Sequence, residues 1–188
     1  MSPLESGLGR WKTIVWNGFS EQQKSGEMEA QLAIAGRLNI PVFTAEDFIP
    51  GSCDLIIDAV FGIGLSRDVE GPYKDLIDLM RTQKDAVVVS VDIPSGINSD
   101  TGAVMGCAVQ ADVTVTFGEK KLGQALFPGR EACGELIVAD IGFVPEEEEK
   151  TGAHALCHTR EDLKKIPKRK PDSHKGTYGK ILVIAGSP

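Results

Sequence analysis

The sequence predicts an α/β fold, an open and mostly parallel sheet with helices packed on it. Three observations predict it. Short apolar runs rich in β-branched residues alternate with helical patterns along the chain. Several of those runs lack period-two alternation, as strands buried on both faces do. Three successive runs end in polar, glycine-bearing turns, and in open α/β sheets ligands bind outside the carboxyl ends of the strands.

The strand candidates are TIVW (13 to 16), PVF (41 to 43), DLIIDAVFG (54 to 62), AVVVSVDI (86 to 93), VTVTFG (113 to 118) and ELIVADIGF (135 to 143). Helical patterns lie between them. In KSGEMEAQLAIAGRLNIP, Ser25 is an N-cap, Glu27 to Leu38 carries strong helix formers, and Asn39 with Pro41 closes the segment. In GPYKDLIDLMRTQ, Pro72 suits a first helical position, and Tyr73, Leu76, Ile77 and Met80 share one face. Strand-helix-strand alternation of this kind implies parallel strands joined by right-handed crossovers.

Composition narrows the function. With 188 residues, 41% of them hydrophobic, the chain can bury one good core, so one domain and a remainder are expected. Acidic residues outnumber basic ones 27 to 20, which argues against a general nucleic-acid binder or a membrane-surface protein. No stretch approaches the length of a membrane span, and the start lacks the pattern of a signal peptide. Cys53, Cys107, Cys133 and Cys157 have no CxxC spacing and read as free thiols of a reducing cytoplasm. A soluble cytoplasmic enzyme acting on a small molecule fits these bounds.

The three turns carry the chemistry. In DAVFGIGLSRDVEGP (58 to 72), Asp58 sits late in an apolar strand, where a carboxylate needs donors or a cation. It either caps a neighbouring loop or ligates a cation. Gly62 and Gly64 permit close backbone approach, and Ser66 with Arg67 suits phosphate. GIGLSR lacks the third glycine of the dinucleotide fingerprint, so a dehydrogenase is not supported. In DIPSGINSDTG (92 to 102), Asp92 is either the Asx residue of a bend stiffened by Pro94 and Gly96 or a carboxylate presented for acid and base work, and Asp100 reads as a turn former. In FGEKKLGQALFPG (117 to 129), Lys121 is placed to neutralise phosphate or pair with Asp92, whereas Lys120 reads as solvated.

The series DLIIDAVFGIGLSRDVEGPY, VVSVDIPSGINSDTG, ADVTVTFGEKKLGQALFPGRE and GELIVADIGFVP resembles the NAD(P)H-hydrate epimerases, the YjeF N-terminal half of bifunctional NAD(P)H-hydrate repair enzymes. The likeness runs from Trp11 to Pro145. It implies a Rossmann-like three-layer open sheet and interconversion of the R and S forms of a hydroxyl at carbon 6 of the reduced nicotinamide. It further implies potassium at Asp58 and Ser95, contact of Gly62, Ile63, Gly64, Leu65, Ser66, Arg67 and Asp68 with the hydrate, and a homodimer or higher homo-oligomer. Asp92 is then the general acid and base, and Lys121 holds Asp92 or the substrate in place. A non-catalytic dimerising scaffold of the same fold is the alternative.

Members of that family begin with a helix and a strand leading into an N-N-G-G-D-G loop, which this sequence lacks. The expectation is therefore a sheet without its first β-α unit and a chain with little epimerase activity of its own. RKPDSHKGTYGKILVIAGSP resembles the opening of an ADP-dependent NAD(P)H-hydrate dehydratase, a ribokinase-like domain. The expected division is an epimerase-like part over 1 to 148, a linker over 149 to 172, and the dehydratase's first strand over 173 to 188. ADP or ATP would serve only that second part. EEEEK (146 to 150) reads as a solvated linker, His154, Cys157 and His158 as a polar junction, and TREDLKKIP as a short helix opened by a Thr159 to Asp162 capping box.

Overall fold

Each of the six apolar runs forms a strand, all of them parallel to their neighbours. The structure is a computed structural model that describes residues 14–17, 25–44, 53–142, 155, 158, 160–166, 168–174, 176–180 and 182–183. β1 (Val15–Asn17) pairs with β2 (Val42–Thr44). β3 (Leu55–Asp58), β4 (Val87–Val91), β5 (Val113–Phe117) and β6 (Glu135–Ala139) form a four-stranded sheet in that order. The chain divides into two units, residues 1–145 and 146–188.

Local chemistry sets the helix ends. α1 (Gly26–Arg37) starts where the Ser25 hydroxyl accepts from the Met28 amide at 3.3 Å, and it ends before Asn39, which takes a left-handed φ of 55°. α2 (Pro72–Thr82) carries Pro72 in its first turn, where no amide is needed. Its apolar face is the one the sequence predicts. Leu76 and Ile77 are buried, and Tyr73 and Met80 pack on the cluster of Val69, Ile77, Val88, Cys107, Val109 and Ala111. The Tyr73 ring lies 5.1 Å from that of Phe61, tilted by 56°.

Two connections depart from simple strand-helix alternation. β3 ends at Asp58 and not at residue 62, because the next amides leave the ladder: Val60 donates to Asp58 Oδ1 at 3.4 Å and Phe61 to Ser95 Oγ at 2.9 Å. Residues 92 to 112, between β4 and β5, contain no helix. They fold as a buried loop closed by its own backbone bonds, among them Asn98 N to Ala103 O at 2.9 Å and Val109 N to Ser95 O at 2.8 Å. Gly96 makes that closure possible. Its φ is 96°, and a Cβ there would meet the Cys107 carbonyl at 1.9 Å. Ile93, Ile97 and Ala108 from this loop form a second apolar cluster with Ala132 of α3 (Gly129–Ala132).

The sheet's two faces differ. Paired residues of a parallel sheet share a face, so Ile56, Asp58, Val88, Ser90, Thr114 and Thr116 lie together on the side that holds the core. Leu55, Ile57, Val87, Phe117 and Ile137 lie on the opposite side and remain exposed, Ile57 at 63%. The valines and threonines of VTVTF are thus sorted against hydrophobicity: Thr114 and Thr116 are fully buried.

Among the described residues of 146–188, a 3-10 helix spans Arg160–Lys165 where the sequence predicts a short helix; Thr159, EEEEK, His154 and Cys157 lie outside the described residues. His158 Nδ1 is 3.7 Å from Asp162 Oδ2. Leu182 and Val183, from the apolar run KILVIA, belong to no strand and are exposed. Cys53, Cys107 and Cys133 are free thiols. No helix among the described residues is long and apolar enough to cross a membrane.

The two faces predict opposite mutational costs. Ile77→Ala, at a position with no exposure, lowers the unfolding free energy by about 2–5 kcal/mol. Ile57→Ala on the open face stays within about 1 kcal/mol of the parent, and urea denaturation of the two variants measures both.

Candidate active site

Asp58 stands at the carboxyl end of β3 with no exposure at all. Oδ2 accepts from the Ser90 hydroxyl and the Ser95 amide, both at 2.8 Å, and Oδ1 from the Ser95 hydroxyl at 2.5 Å. Val60 N reaches Oδ1 only at the outer limit of 3.4 Å. Ser95 Oγ in turn accepts from the Phe61 amide at 2.9 Å and lies 3.4 Å from the Phe61 carbonyl. A buried carboxylate is tolerated when its lone pairs meet donors, and these bonds join β3 to β4 and to the turn that follows β4. Asp58 is therefore a loop cap, the first of its two sequence readings. Its chemistry also suits a cation: Asp58 Oδ1, Ser95 Oγ and the Phe61 carbonyl are oxygens close to one another, and no cationic side chain pairs with Asp58 among the described residues.

Asp92 leaves β4 with a left-handed φ of 68°, a conformation that aspartate tolerates better than most residues. Its amide donates to the Val115 carbonyl at 2.7 Å. Oδ1 accepts from Thr116 Oγ1 and the Phe117 amide, both at 3.2 Å, and from Lys121 Nζ in a short ion pair. Lys121 Nζ also donates to Thr116 Oγ1 at 2.9 Å and to the Phe117 carbonyl at 3.0 Å. Oδ2 has no partner among the described residues, and since no buried side-chain oxygen lacks one among them, it is not buried. Burial pushes the Asp92 pKa up, but the Lys121 hydrogen bond, the Phe117 amide, the Lys121 charge and the Thr116 hydroxyl together outweigh it and hold the carboxyl below the usual carboxylate range.

Asp92 is thus not the Asx residue of its bend. Asn98 is the Asx residue of the next turn, its Oδ1 accepting from the Asp100 and Thr101 amides at 3.0 and 2.9 Å and from the Thr101 hydroxyl at 3.0 Å. Asp100 lies in this turn, as the sequence predicts, and the side chain that holds it is that of Asn98. Asn98 Nδ2 also donates to the Leu65 carbonyl at 3.3 Å and Ser99 Oγ to the Ile63 carbonyl at 3.2 Å, so the turn after β4 holds the loop after β3. The amides of Gly62, Ile63, Gly64, Leu65, Ser66, Arg67 and Asp68 in that loop have no acceptor among the described residues. With the exposed side chains of Ser66 and Arg67, they make a surface suited to an anion.

Sequence reasoning missed Ser90, Asn98, Ser99, Thr116 and Gln124. Ser90 carried a signal, a lone hydroxyl in the apolar run VVVSV. Thr116 carried a misleading one, since alternation in VTVTF favours burying the valines. Gln124 carried none. It is buried, and its side chain bridges the Asp92 carbonyl and the Lys121 amide.

Residues 9–123 match the family described as YjeF-related protein N-terminus. The chain is 46% identical over 134 residues to the bifunctional NAD(P)H-hydrate repair enzyme Nnr of Thermofilum pendens, covering 71% of this chain and 25% of that protein. It is 47% identical over 117 residues to the NAD(P)H-hydrate epimerase of Levilactobacillus brevis, covering 62% of this chain and 54% of that one. The chain therefore spans a quarter of the first relative's length and about half of the second's. The crystal structure of yeast ynu0, YNL200c, aligns with a TM-score of 0.58 at 20% identity, over 79% of this chain and 63% of the yeast one, and shows the α/β fold.

Ser95→Ala removes the hydroxyl that serves both Asp58 and Phe61. Taking one donor from the buried Asp58 carboxylate and the acceptor from the half-buried Phe61 amide costs about 1–3 kcal/mol, and a matched drop in the urea midpoint with an unchanged slope confirms it.

Proposed function

The chain belongs to the family of YjeF-related protein N-termini, and from that premise we propose that it epimerises the hydrates of NADH and NADPH at carbon 6 of the reduced nicotinamide. The observation that carries this reading is the Asp92–Lys121 pair, in which one carboxylate oxygen is fastened by three donors and the other is left free for substrate. The hydrated carbon is a hemiaminal. Its ring nitrogen can expel the hydroxyl as water once a proton is supplied, and water can return on the opposite face. The pair, as carboxylate and ammonium, holds the one proton that departing hydroxide needs and recovers one from the water that adds to carbon 6, so the cycle is neutral in protons. Lys121 also keeps Asp92 ionised before substrate arrives. The free amides of residues 62 to 68, with Ser66 and Arg67, suit the diphosphate of the hydrate.

Potassium belongs to the same proposal. Asp58 and Ser95, with the Phe61 carbonyl, would hold it, and the ion supplies positive charge beside a buried carboxylate that lacks a cationic partner among the described residues. With Oδ2 taken by the Ser90 hydroxyl and the Ser95 amide, the ion would approach from Oδ1 and the Ser95 hydroxyl bonded to it.

Asp92→Asn lowers epimerisation by about 100-fold or more, measured as consumption of the R hydrate in the presence of an S-specific dehydratase; full activity in that variant rejects the assignment. The pH dependence has a fixed sign. A lowered pKa keeps Asp92 charged until pH falls below the usual carboxylate range, so the acid limb of kcat/KM lies there, and Lys121→Met moves it to higher pH. For potassium, the thermal midpoint is higher in potassium chloride than in choline chloride of equal ionic strength, and Asp58→Asn abolishes the difference. Equal midpoints in the parent chain reject the ion.

A further inference from the structure

We propose that Gln124 is the positioning residue of the acid-base pair, fixing Asp92 and Lys121 to each other through their backbones; the proposal rests on reading that pair as the reacting one. Gln124 is fully buried. Its Nε2 donates to the Asp92 carbonyl at 2.6 Å, and its Oε1 accepts from the Lys121 amide at 2.9 Å. The amide can stand only one way round, because one neighbour is an acceptor and the other a donor.

The effect on Asp92 is directional. At a φ of 68° the residue is strained and depends on its surroundings to hold that conformation. Its amide is tied to Val115 of β5 and its carbonyl to Gln124, so both peptide groups beside its Cα are held and the side chain's departure from the chain is set. The effect on Lys121 is similar. Gln124 N donates to the Lys121 carbonyl at 3.0 Å while its side chain takes the Lys121 amide, which closes the turn into the 3-10 helix Leu122–Gln124. The ammonium then needs only its own stem to reach Asp92 Oδ1.

Gly123 permits the approach. A Cβ there would lie 2.2 Å from the Asn98 carbonyl, and its amide donates to Ser99 O at 2.6 Å. The Lys121 turn therefore lies against the turn that begins with Asp92, and the side chain of Gln124 spans what remains between them. Thr116 touches the two charged ends, but Gln124 joins their backbones.

The test uses the full chain and Gln124→Met, which keeps length and volume and removes both polar ends. Three readouts separate positioning from packing. In the parent chain the Lys121 amide proton exchanges slowly, and in the variant it exchanges at least tenfold faster. The carbon-13 titration of the Asp92 carboxyl moves toward that of an ordinary aspartate. Epimerisation of the R hydrate loses about 10- to 100-fold in kcat with KM within about twofold, the signature of misplaced catalytic groups. A Lys121 amide that exchanges freely in the parent chain overturns the proposal without any variant having to fold. So does a variant whose Asp92 titration and kcat are those of the parent. A shifted Asp92 titration in a chain that epimerises nothing supports the positioning role and rejects the function assigned to the pair.

Discussion

A buried carboxylate with its acceptors filled is the constraint on which this architecture turns. Asp58 has no access to water, so the free energy of placing it at the end of β3 depends on donors brought from elsewhere in the chain. Ser90 comes from the neighbouring strand, and Ser95 contributes amide and hydroxyl from the turn beyond it. Satisfying Asp58 thereby fixes where the chain goes after β4. The turn so placed carries Asp92 at its start and Asn98 with Ser99 at its end, and the last two hold the loop of residues 62 to 68 by its carbonyls. One carboxylate organises the surroundings of the other.

The two acids use their oxygens differently. In Asp58 both are bound into the fold, Oδ2 by the Ser90 hydroxyl and the Ser95 amide and Oδ1 by the Ser95 hydroxyl. In Asp92, Oδ1 is bound by Thr116, Phe117 and Lys121, while Oδ2 has no partner among the described residues. A carboxylate used in this way combines a fixed orientation with a free lone pair. The opposition of burial against hydrogen bonds and the Lys121 charge is settled in favour of the charged form, which keeps Asp92 ionised near neutrality.

Much of the framework was legible in the sequence because it is local. The Ser25 cap, the Asn39 stop, Pro72 and the face of Tyr73, Leu76, Ile77 and Met80 rest on interactions within a few residues, and the structure has each of them. The pairing of Lys121 with Asp92 was legible as one of two options, since both stand at strand ends in one sheet. The segment from 92 to 112 was less so. Its order comes from backbone bonds closed on themselves and from apolar residues buried without a period. Asn98, two residues from Asp100, holds the turn in which that aspartate lies, because an amide side chain can accept from the turn and donate to the neighbouring loop at once.

By itself the sequence determined which segments become strands and helices, that the strands run parallel, and that aspartates and a lysine gather at one end of the sheet. Propensity, capping and hydrophobic run length decide those matters over short distances. Tertiary structure alone decided that Thr114 and Thr116 face inward while Val87 and Ile57 remain exposed, that Ser90 serves Asp58, and that Gln124 spans Asp92 and Lys121. The Ser90–Asp58 and Gln124–Asp92 contacts are hydrogen bonds between residues 32 apart in the chain. Burial of a polar group is favourable only when such a distant partner arrives in register, and no local pattern of side chains encodes that arrival.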